Sequence, residues 1–431
     1  MNERLLQFIW QFQYFNKNNL HTLEGDPLQV LHAGYYNTNQ GPDFIDARIR
    51  IGDTLLAGSV ELHLDEADWY RHAHVHDPNY RTVILHVLWE CPGQARLPLP
   101  TVSLKERVSK VLLERYSELM HSRSFVPCAN SLHHVTELTW TGWKERLLAE
   151  RLIRKSGVVK RYLQESNQHW EEVLWWMLAR NFGLPVNADA FEMVAKSISL
   201  NMLARHKNHV YQLEALLLGQ AGLLEGDFNE DYPKMLRDEY RFFQIKYGIE
   251  PVRQQVHFLR MRPGNFPTIR LAQLAMLMHT SSFLFSQLKE AVSVQSLYSL
   301  LKVTASDYWD HHYMPGEVTA CRKKTVGNQM VETVIINAVI PLLFAYGHLR
   351  HEHQYKDKVL QWLEQLMPEK NAITNGWALL GLENRHAWDS QALIELKKAY
   401  CDARRCLECA AGNSLLRSKA AAGRFLDRPV E

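Results

Sequence analysis

The chain has few cysteines for its length: six in 431 residues. So small a number excludes a disulfide-rich scaffold, in which cysteine makes up a large share of a short secreted chain. A surplus of positive charge is also missing, because 49 lysines and arginines face 47 aspartates and glutamates, for a net charge of +2. The sequence therefore lacks the strongly basic profile of an obvious nucleic-acid-binding protein, and any phosphate-binding surface must be local.

Sequence signals of several common protein classes are absent as well. No uninterrupted apolar run reaches the length of a transmembrane helix, and the N-terminal segment lacks the small-residue cleavage site of a signal peptide. The chain has no Walker phosphate loop, no Rossmann glycine pattern and no Gly-x-Ser-x-Gly elbow. At 46% hydrophobic and 22% charged, it reads as a globular protein of two or three domains, which we expect in the cytoplasm without membrane contact.

The most informative pattern in the chain is a pair of acidic residues next to a basic one. Asp43 lies in the run Gly-Pro-Asp-Phe of residues 41–44, and Glu61 and His63 follow further along the chain. Two carboxylates held side by side suit a hard divalent cation such as Mg²⁺ or Mn²⁺. A nearby basic group can orient or deprotonate a water on that metal. The pattern predicts a phosphodiesterase site in which Asp43 and Glu61 hold the metal and His63 acts on the water.

A predicted hairpin brings these three residues together. Residues 44–51 and 54–64 are rich in strand-forming residues, and Gly-Asp at 52–53 marks the turn between them. In that register Asp43 lies opposite about residue 62, while Glu61 and His63 point to the same face of their strand. We therefore expect the three side chains to converge.

The neighbouring segments complete a small α/β module. In chain order we predict a helix over 3–15, a strand over 28–36, the hairpin, a helical start or loop over 65–72, a buried strand over 82–89 and a helix over 105–123. This αβββ(α)βα order predicts a mixed sheet with helices on its faces.

These residues resemble the PD-(D/E)xK nuclease superfamily, whose signature is Pro-Asp at the start of one strand and an acid, a spacer and a lysine on the next. Pro42-Asp43 and Glu61-Leu62-His63 match this signature, with histidine in the place of lysine. The chain is similar in this respect to the very-short-patch mismatch-repair nucleases, which use histidine where lysine is absent. The resemblance covers about residues 1–90 and implies a restriction-endonuclease-like module that hydrolyses phosphodiester bonds in DNA or RNA.

Over its whole length the chain also resembles an uncharacterised bacterial family known only as a domain of unknown function. The stretches that carry this second resemblance are residues 41–44, 58–63, 68–69 and 400–412. That family implies no activity.

Three histidines alternate just after the hairpin, at His72, His74 and His76. In an extended chain their imidazoles share one face, which suits a transition metal, a phosphate-facing edge or proton donation to a leaving oxygen. The alternative is a solvated loop rich in histidine, because this spacing has no fixed meaning as a ligand set without a fourth group.

The periodicity after about residue 100 is almost wholly helical. Apolar stripes recur over 170–178, 191–198 and 393–399, and residues 331–346 are apolar nearly all round, which predicts a buried helix. We predict an α+β protein. It has a nuclease-like module over 1–125, a large all-α array of one or two bundles over 130–415, and a flexible tail over 416–431.

Arginines concentrate without any acid between residues 251 and 270, at Arg253, Arg260, Arg262 and Arg270. Arginines on a turn-rich loop suit bidentate contacts with phosphate. The alternative is a solvated connector between helices. The run Arg-Lys-Lys at 322–324 is a second concentration, of a kind typical of a solvated surface.

Cys401, Cys406 and Cys409 have the spacing C-x₄-C-x₂-C. Three thiolates could hold Zn²⁺ or an iron–sulfur cluster together with a fourth ligand, for which Cys321 and His386 are the candidates. On one straight helix only the last two thiols would share a face, so a site requires the chain to bend after Cys401. The alternative is three thiols that pack as small apolar side chains.

Three functions of different classes remain. The first is a metal-dependent nuclease, the second a non-catalytic nucleic-acid-binding protein with a nuclease-like core, and the third a helical protein-interaction scaffold. The presence of both carboxylates, Asp43 and Glu61, favours the first over the second. The balanced net charge favours the third over both.

Overall fold

The structure is a computed structural model, and it describes residues 1–72, 77–90, 99–259 and 261–417. Internal contacts divide the chain into two compact units. One unit comprises residues 1–143 together with the segment from Leu396 onward, and the other comprises residues 144–395. The predicted fold class is confirmed: a small mixed sheet precedes a large helical region, so the protein is α+β.

The sheet lies in the first unit. Its strands are β1 Leu28–His32, β2 Tyr35–Tyr36, β3 Phe44–Ile51, β4 Thr54–His63, β5 Val83–Leu88 and β6 Thr101–Ser103. The strand order is β1-β3-β4-β5-β6, and β2 also pairs with β3. Strands β1, β3 and β4 are antiparallel, whereas β5 runs parallel to both β4 and β6. The predicted mixed sheet is therefore confirmed.

The predicted hairpin is confirmed, because β3 and β4 meet at a turn over 52–53 with Ile51 opposite Thr54. The single strand predicted over 28–36 is wrong, since Gly34 has a φ of +94° and separates β1 from β2. A Cβ at Gly34 would lie 2.9 Å from the carbonyl oxygen of Ile45, so the close approach to β3 suits glycine alone.

Short helices accompany the sheet: α1 Glu3–Gln11, α2 Ala67–Arg71 and α3 Lys110–His121. Helix α1 is shorter than the predicted 3–15, because Gln13 has a φ of +52°. Its apolar side chains are buried, and it packs against β4. The helix predicted over 105–123 begins later than expected, after a 3-10 turn over Lys105–Arg107.

The helical region follows. Its helices are α4 Glu137–Glu165, α5 Trp170–Phe182, α6 Ala188–Ser197, α7 Leu200–His206, α8 Val210–Gln220, α9 Asp231–Tyr247, α10 Pro267–Thr280, α11 Leu284–Glu290, α12 Val294–Leu301, α13 Asn328–Val334, α14 Ile340–Leu349, α15 His353–Gln365, α16 Ala372–Leu379 and α17 Ala387–Glu395. A π-helical turn over Ile335–Val339 joins α13 to α14, which confirms the buried helix predicted over 331–346. By length and composition this helix could cross a membrane, and 72% of its apolar window is buried inside the protein.

The C-terminal segment belongs, by its contacts, to the unit that contains the sheet. A π-helical turn over Leu396–Cys401 leads into a bend, and α18 (Ala410–Arg417) packs against α3. This division differs from the sequence-based boundaries, which grouped residues 130–415 together. Contacts between distant segments decide it, and local periodicity carries no information about them. The tail predicted over 416–431 lies outside the described residues from 418 onward.

Candidate functional site

A β-bulge in β3 determines which residue faces Asp43. The β3–β4 pairs from Ile51 to Ala47 follow one register, and Phe44 then pairs with Val60, one residue out of that register. Asp46, with a φ of +59°, lies in this irregular stretch. Asp43 is therefore next to Glu61 rather than opposite residue 62, as the uninterrupted register predicted.

Asp43 and Glu61 are fixed by two reciprocal hydrogen bonds, in which a backbone N–H from each side donates to the carboxylate of the other side. The N–H of Asp43 donates to Oε2 of Glu61 at 2.9 Å, and the N–H of Leu62 donates to Oδ2 of Asp43 at 3.2 Å. Glu61 is 5% exposed and Asp43 is half-buried. The structure thus brings the two acidic residues together, with Asp43 as the more accessible one.

Burial of this pair is unfavourable for two negative charges. Burial, and after it the charge of Asp43, raises the pKa of Glu61 to about 9. Burial raises the pKa of Asp43 to about 6, against the hydrogen bonds from Leu62 and Gln7. Without a cation the pair therefore keeps a proton at neutral pH, and a bound cation would stabilise the doubly ionised form.

His63 is buried, with 1% of its surface exposed. Its Nε2 lies 3.5 Å from Oε1 of Glu61, and its Nδ1 lies 2.9 Å from Nε2 of His86. His86 is paired with Glu61 in the parallel β4–β5 register. His63 is thus placed to act on Glu61. The sequence analysis missed His86, although it is the one polar side chain in the apolar run over Val83–Leu88.

Helix α1 contributes two further residues that the sequence analysis missed. Nε2 of Gln7 donates to Oδ1 of Asp43 at 2.7 Å, and the hydroxyl of Tyr36 donates to Oε1 of Gln7 at 3.2 Å. Glu3 lies four residues before Gln7, and its charge raises the pKa of both Asp43 and Glu61. The available signal was this i, i+4 pair of polar residues on the polar side of an amphipathic helix.

Only the first of the three alternating histidines falls within the described residues. His72 is exposed, and its ring centroid lies 5.2 Å from that of His63. His74 and His76 lie outside the described residues. Trp69, on α2, packs edge-on against His86 at 5.2 Å and closes this side of the site.

The donor set suits a divalent metal that keeps several non-protein ligands. Among the residues described, no three His, Cys, Asp or Glu side chains are arranged to hold one metal ion. Asp43 and Glu61 therefore offer two carboxyl groups and no third protein ligand of these types within the described residues. Mg²⁺ is commonly bound through one or two carboxylates, with waters and substrate phosphates in its other positions. Mg²⁺ and Mn²⁺ accordingly fit the residues present.

The arginine-rich stretch lies in the second unit. Arg262 and Arg270 line a cavity of about 900 Å³, whereas Arg253 is exposed and Arg260 lies outside the described residues. The run over 322–324 lines the same cavity, and Lys324 in it is only 5% exposed rather than solvated.

The candidate cysteine ligands fall in different units. Cys401, Cys406 and Cys409 belong to the first unit, and the chain bends after Cys401 as a site would require. The two predicted fourth ligands belong to the second unit: Cys321 is exposed, and Nδ1 of His386 lies 3.4 Å from a carboxylate oxygen of Asp389.

The sequence analysis missed a fourth cysteine of the first unit. Cys128 is buried, and the thiols of Cys406 and Cys409 act on it electrostatically. It lies more than 270 residues before the C-x₄-C-x₂-C run, so no local spacing could reveal it.

Comparison with known proteins identifies the chain only at the level of a family. A family model described as "Protein of unknown function (DUF2851)" matches residues 3–372. The match covers the sheet module and most of the helical region, and it ends before the 400–412 stretch. No curated protein and no solved structure matches the chain.

Proposed function

We propose that this chain, which belongs to the DUF2851 family of proteins of unknown function, is a metal-dependent nuclease. It would hydrolyse phosphodiester bonds in DNA or RNA. The observation that carries the proposal is the reciprocal pair of hydrogen bonds that fixes Asp43 and Glu61 side by side. Such a pair, half open to solvent at Asp43, is suited to holding one Mg²⁺ or Mn²⁺ against a substrate phosphate.

Each residue of the site has a role in this proposal. Asp43 and Glu61 would hold the metal, which when bound supplies an activated water and offsets the charge of the phosphate. Gln7 holds Asp43 in place through its hydrogen bond to Oδ1. His63 positions Glu61, since its Nε2 lies 3.5 Å from Oε1 of that carboxyl group. The exposed His72 is the candidate donor of a proton to the leaving oxygen.

The topology around the site supports the same proposal. Three antiparallel strands, β1, β3 and β4, precede a strand β5 that runs parallel to β4 after the helix α2. The proposal is also supported by sequence, because the acid directly before β3 and the Glu-x-His run at the end of β4 resemble the PD-(D/E)xK signature. A likeness of this kind concerns the core alone, so activity has to be argued from the site.

The burial of His63 favours one alternative, a non-catalytic nucleic-acid-binding protein. A lysine in this position would carry a fixed positive charge, whereas His63 is 1% exposed and is engaged with His86. A core without that charge could bind a phosphate backbone without cutting it.

The test is cleavage of labelled single-stranded, double-stranded and branched DNA and RNA by the full-length protein with Mg²⁺ or Mn²⁺. Cutting should disappear in Asp43→Asn and in Glu61→Gln, because each removes a metal-binding charge at nearly constant shape. Asp46→Asn is the matched control: Asp46 is an exposed acid on the same strand, and asparagine tolerates its positive φ.

Cutting that persists in both variants would show a contaminating nuclease or a different site. Binding without cutting across all substrates would support the binding-protein alternative instead. His63→Lys refines the result, because activity retained in that variant would show that His63 performs the role of the superfamily's lysine.

A further inference from the structure

Four cysteines of the first unit form one buried group. Cys128, Cys406 and Cys409 are 7–9% exposed and Cys401 is half-buried. None of them forms a disulfide. Free cysteine alone is a common core residue, so the arrangement of the four has to decide what they do.

The chain around the last three cysteines is bent rather than helical. Cys401 ends a π-helical turn, Arg404 takes a φ of +51°, and Cys409 immediately precedes α18. A Cβ at Gly412 would lie 2.2 Å from the carbonyl oxygen of Cys406, so α18 packs directly onto the bend. The bend removes the geometric objection that a straight helix would point Cys401 away from the other two.

Packing brings Cys128 to the same place. Helix α18 contacts the 3-10 turn over Ala129–His134, which starts directly after Cys128. The guanidinium of Arg404 donates to the carbonyl oxygens of Leu119 and Ser122, which ties the bend to the end of α3. The segment before Cys128 and the bend after Cys401 are therefore held together.

The four thiols also act on one another electrostatically. Cys406 and Cys409 lie close enough to Cys128 to interact with it electrostatically. The other three thiols likewise interact with Cys401. Four neighbouring thiolates in a buried site require cations among them.

We propose that Cys128, Cys401, Cys406 and Cys409 ligate an iron–sulfur cluster that fastens the C-terminal segment to the sheet module. A tetrahedral Zn²⁺ site would need sulfurs about 3.8 Å apart, given Zn–S bonds near 2.3 Å. Within the described part of the chain no three such side chains have the spacing for a single ion. A cluster spreads its thiolates over several iron atoms, so its four ligands do not have to converge on one ion.

Basic and amide groups near the thiols suit an anionic cluster. The side chains of Lys397 and Arg404 lie close enough to interact electrostatically with Cys401 and Cys406, respectively, and both carry positive charge. The backbone N–H groups of Ala411 and Gly412 hydrogen-bond to the sulfur of Cys409. On assembly each thiol releases its proton to solvent as its sulfur binds iron, and ferric iron, ferrous iron and sulfide are the other reactants, so that no change of oxidation state is required.

The test is metal analysis of full-length protein purified without oxygen, and of the same protein reconstituted with ferric iron, ferrous iron and sulfide. We expect about two to four iron atoms per chain with an equal amount of acid-labile sulfide, and the broad visible absorption of a cluster. Zinc in place of iron, or no metal after reconstitution, would overturn the proposal without any variant being needed.

The variant Cys128→Ser assigns the fourth ligand. It should lower the iron and sulfide content at least severalfold, while Cys321→Ser, an exposed cysteine of the second unit, should leave both unchanged. Full cluster content in Cys128→Ser would refute the assignment. Iron content that falls equally in Cys321→Ser would refute it as well, because it would return Cys321 to the ligand set.

The second unit contains a cavity of about 900 Å³. Its lining includes Arg262, Arg270, Arg322, Lys323 and Lys324, and the lining residues that the structure describes contain no Asp or Glu. A cavity of this size is typical of small-molecule sites. Lys323 forms ion pairs with Asp307 and Asp310, which lie outside the lining, so four basic side chains remain. Such a concentration is unusual in a chain of net charge +2.

Two of these cations are largely buried with neutral partners. Arg270 donates to Oε1 of Gln273 at 2.9 Å and to Oδ1 of Asn265 at 2.6 Å, and burial lowers its pKa to about 10. In the described ranges no carboxylate lies within ion-pair distance of Arg270. The positive charge is thus held in place without an internal counterion, which is costly unless a ligand supplies one.

Lys324, at another wall of the cavity, is also a buried cation whose hydrogen-bond partners are neutral. It is 5% exposed, its Nζ donates to the carbonyl oxygens of Asp310 and Arg322, and it lies 4.0 Å from the centre of the Tyr313 ring. We infer that this cavity binds a small molecule bearing a phosphate group. Arginine and lysine would contact the phosphate, and Tyr313 offers a face for an aromatic base.

Isothermal titration of the full-length protein with inorganic phosphate and with adenosine monophosphate tests this inference. We expect binding of the nucleotide, weakened at least tenfold in Arg270→Gln and in Arg322→Gln. Arg322 is exposed, so we do not expect Arg322→Gln to disturb folding, and loss of binding in that variant can be assigned to the cavity. Arg253→Gln, also exposed and outside the cavity lining, is the matched control.

Phosphate binding without added affinity for the nucleotide would still support a phosphate site. Absence of binding by both probes, or equal affinity in all three variants, would overturn the inference. Binding of an oligonucleotide alone would overturn it in favour of a nucleic-acid surface.

Discussion

Replacing Glu61 by glutamine should stabilise the sheet module at alkaline pH in the absence of divalent metal. The carboxyl group of Glu61 is 5% exposed and lies beside Asp43. Its pKa is about 9 in the folded protein and 4.5 ordinarily. Glutamine keeps the shape and can still accept the hydrogen bond from the N–H of Asp43, but it removes the charge.

The direction of the pH dependence of stability follows from the number of protons that the folded and unfolded states bind. Between pH 4.5 and about 9 the folded state holds a proton on Glu61 that the unfolded state has released, so stability falls as pH rises through this range. Asp43 acts in the same direction, because burial raises its pKa from 3.8 to about 6. Each pH unit contributes up to about 1.4 kcal/mol, so keeping Glu61 protonated in the folded state costs a few kcal/mol at pH 8.

The assay is hydrogen–deuterium exchange of peptides from β3 and β4, compared between wild type and Glu61→Gln at one pH. At pH 8 we expect slower exchange in the variant, by a factor of about 5–30 for each one to two kcal/mol. At pH 5 the difference should shrink, because this pH is close to the ordinary pKa of 4.5, so the unfolded state has gained little by releasing the proton of Glu61. Mg²⁺ should slow exchange in the wild type at pH 8 and not in the variant, since ligand binding stabilises the folded state.

Equal exchange of wild type and Glu61→Gln at pH 8 would refute the reasoning about the buried carboxylate. Asp46→Asn is again the control, because it removes an exposed acid from the same strand. Protection in that variant equal to the protection in Glu61→Gln would show a general charge effect. If Mg²⁺ slowed exchange in Glu61→Gln as much as in Asp46→Asn, Glu61 would be removed from the metal-binding pair.

Three further predictions concern packing and buried charge. Gly58→Ala should destabilise the protein by about 1–3 kcal/mol in chemical denaturation, since a Cβ there would lie 2.5 Å from Cγ2 of Ile84. Lys155→Met should remove a rise in stability between pH 7 and 10, because burial lowers the pKa of Lys155 to about 7 and the unfolded state binds more protons in that range. Glu395→Gln should cost about 3–5 kcal/mol by urea denaturation, because it leaves buried Arg151 without its carboxylate partner at 3.1 Å.

The hairpin could be predicted because its information is local. Strand-forming residues on both sides of Gly52-Asp53 specify the turn, and Ile51 opposite Thr54 confirms it. The bulge near Asp46 could not be predicted, because nothing in the residue types of β3 requires an extra residue at that point. The bulge moves Asp43 by one position, which was enough to shift its neighbour from residue 62 to Glu61.

The surroundings of the acidic pair were also beyond local reasoning. Gln7 reaches Asp43 across 36 positions of sequence, and His86 reaches His63 across 23. These contacts depend on how α1 and β5 pack on the sheet. Residue types alone predicted that His63 acts on the metal-bound water. The parallel pairing of β4 with β5 instead buries His63 against His86.

The cysteines show the same limit over the longest separation. Spacing within 401–409 indicated a metal site and required a bend, and the bend after Cys401 is present. Spacing could not select the fourth ligand, because Cys128 approaches only through the packing of α18 on the turn over Ala129–His134. If Cys128 completes a cluster, the C-terminal segment is held to the module that carries Asp43 and Glu61 by covalent metal–sulfur bonds. Loss of the cluster should then increase hydrogen exchange in α18 and α3 first. Unchanged exchange there in cluster-free protein would leave the four thiols without the structural role assigned to them.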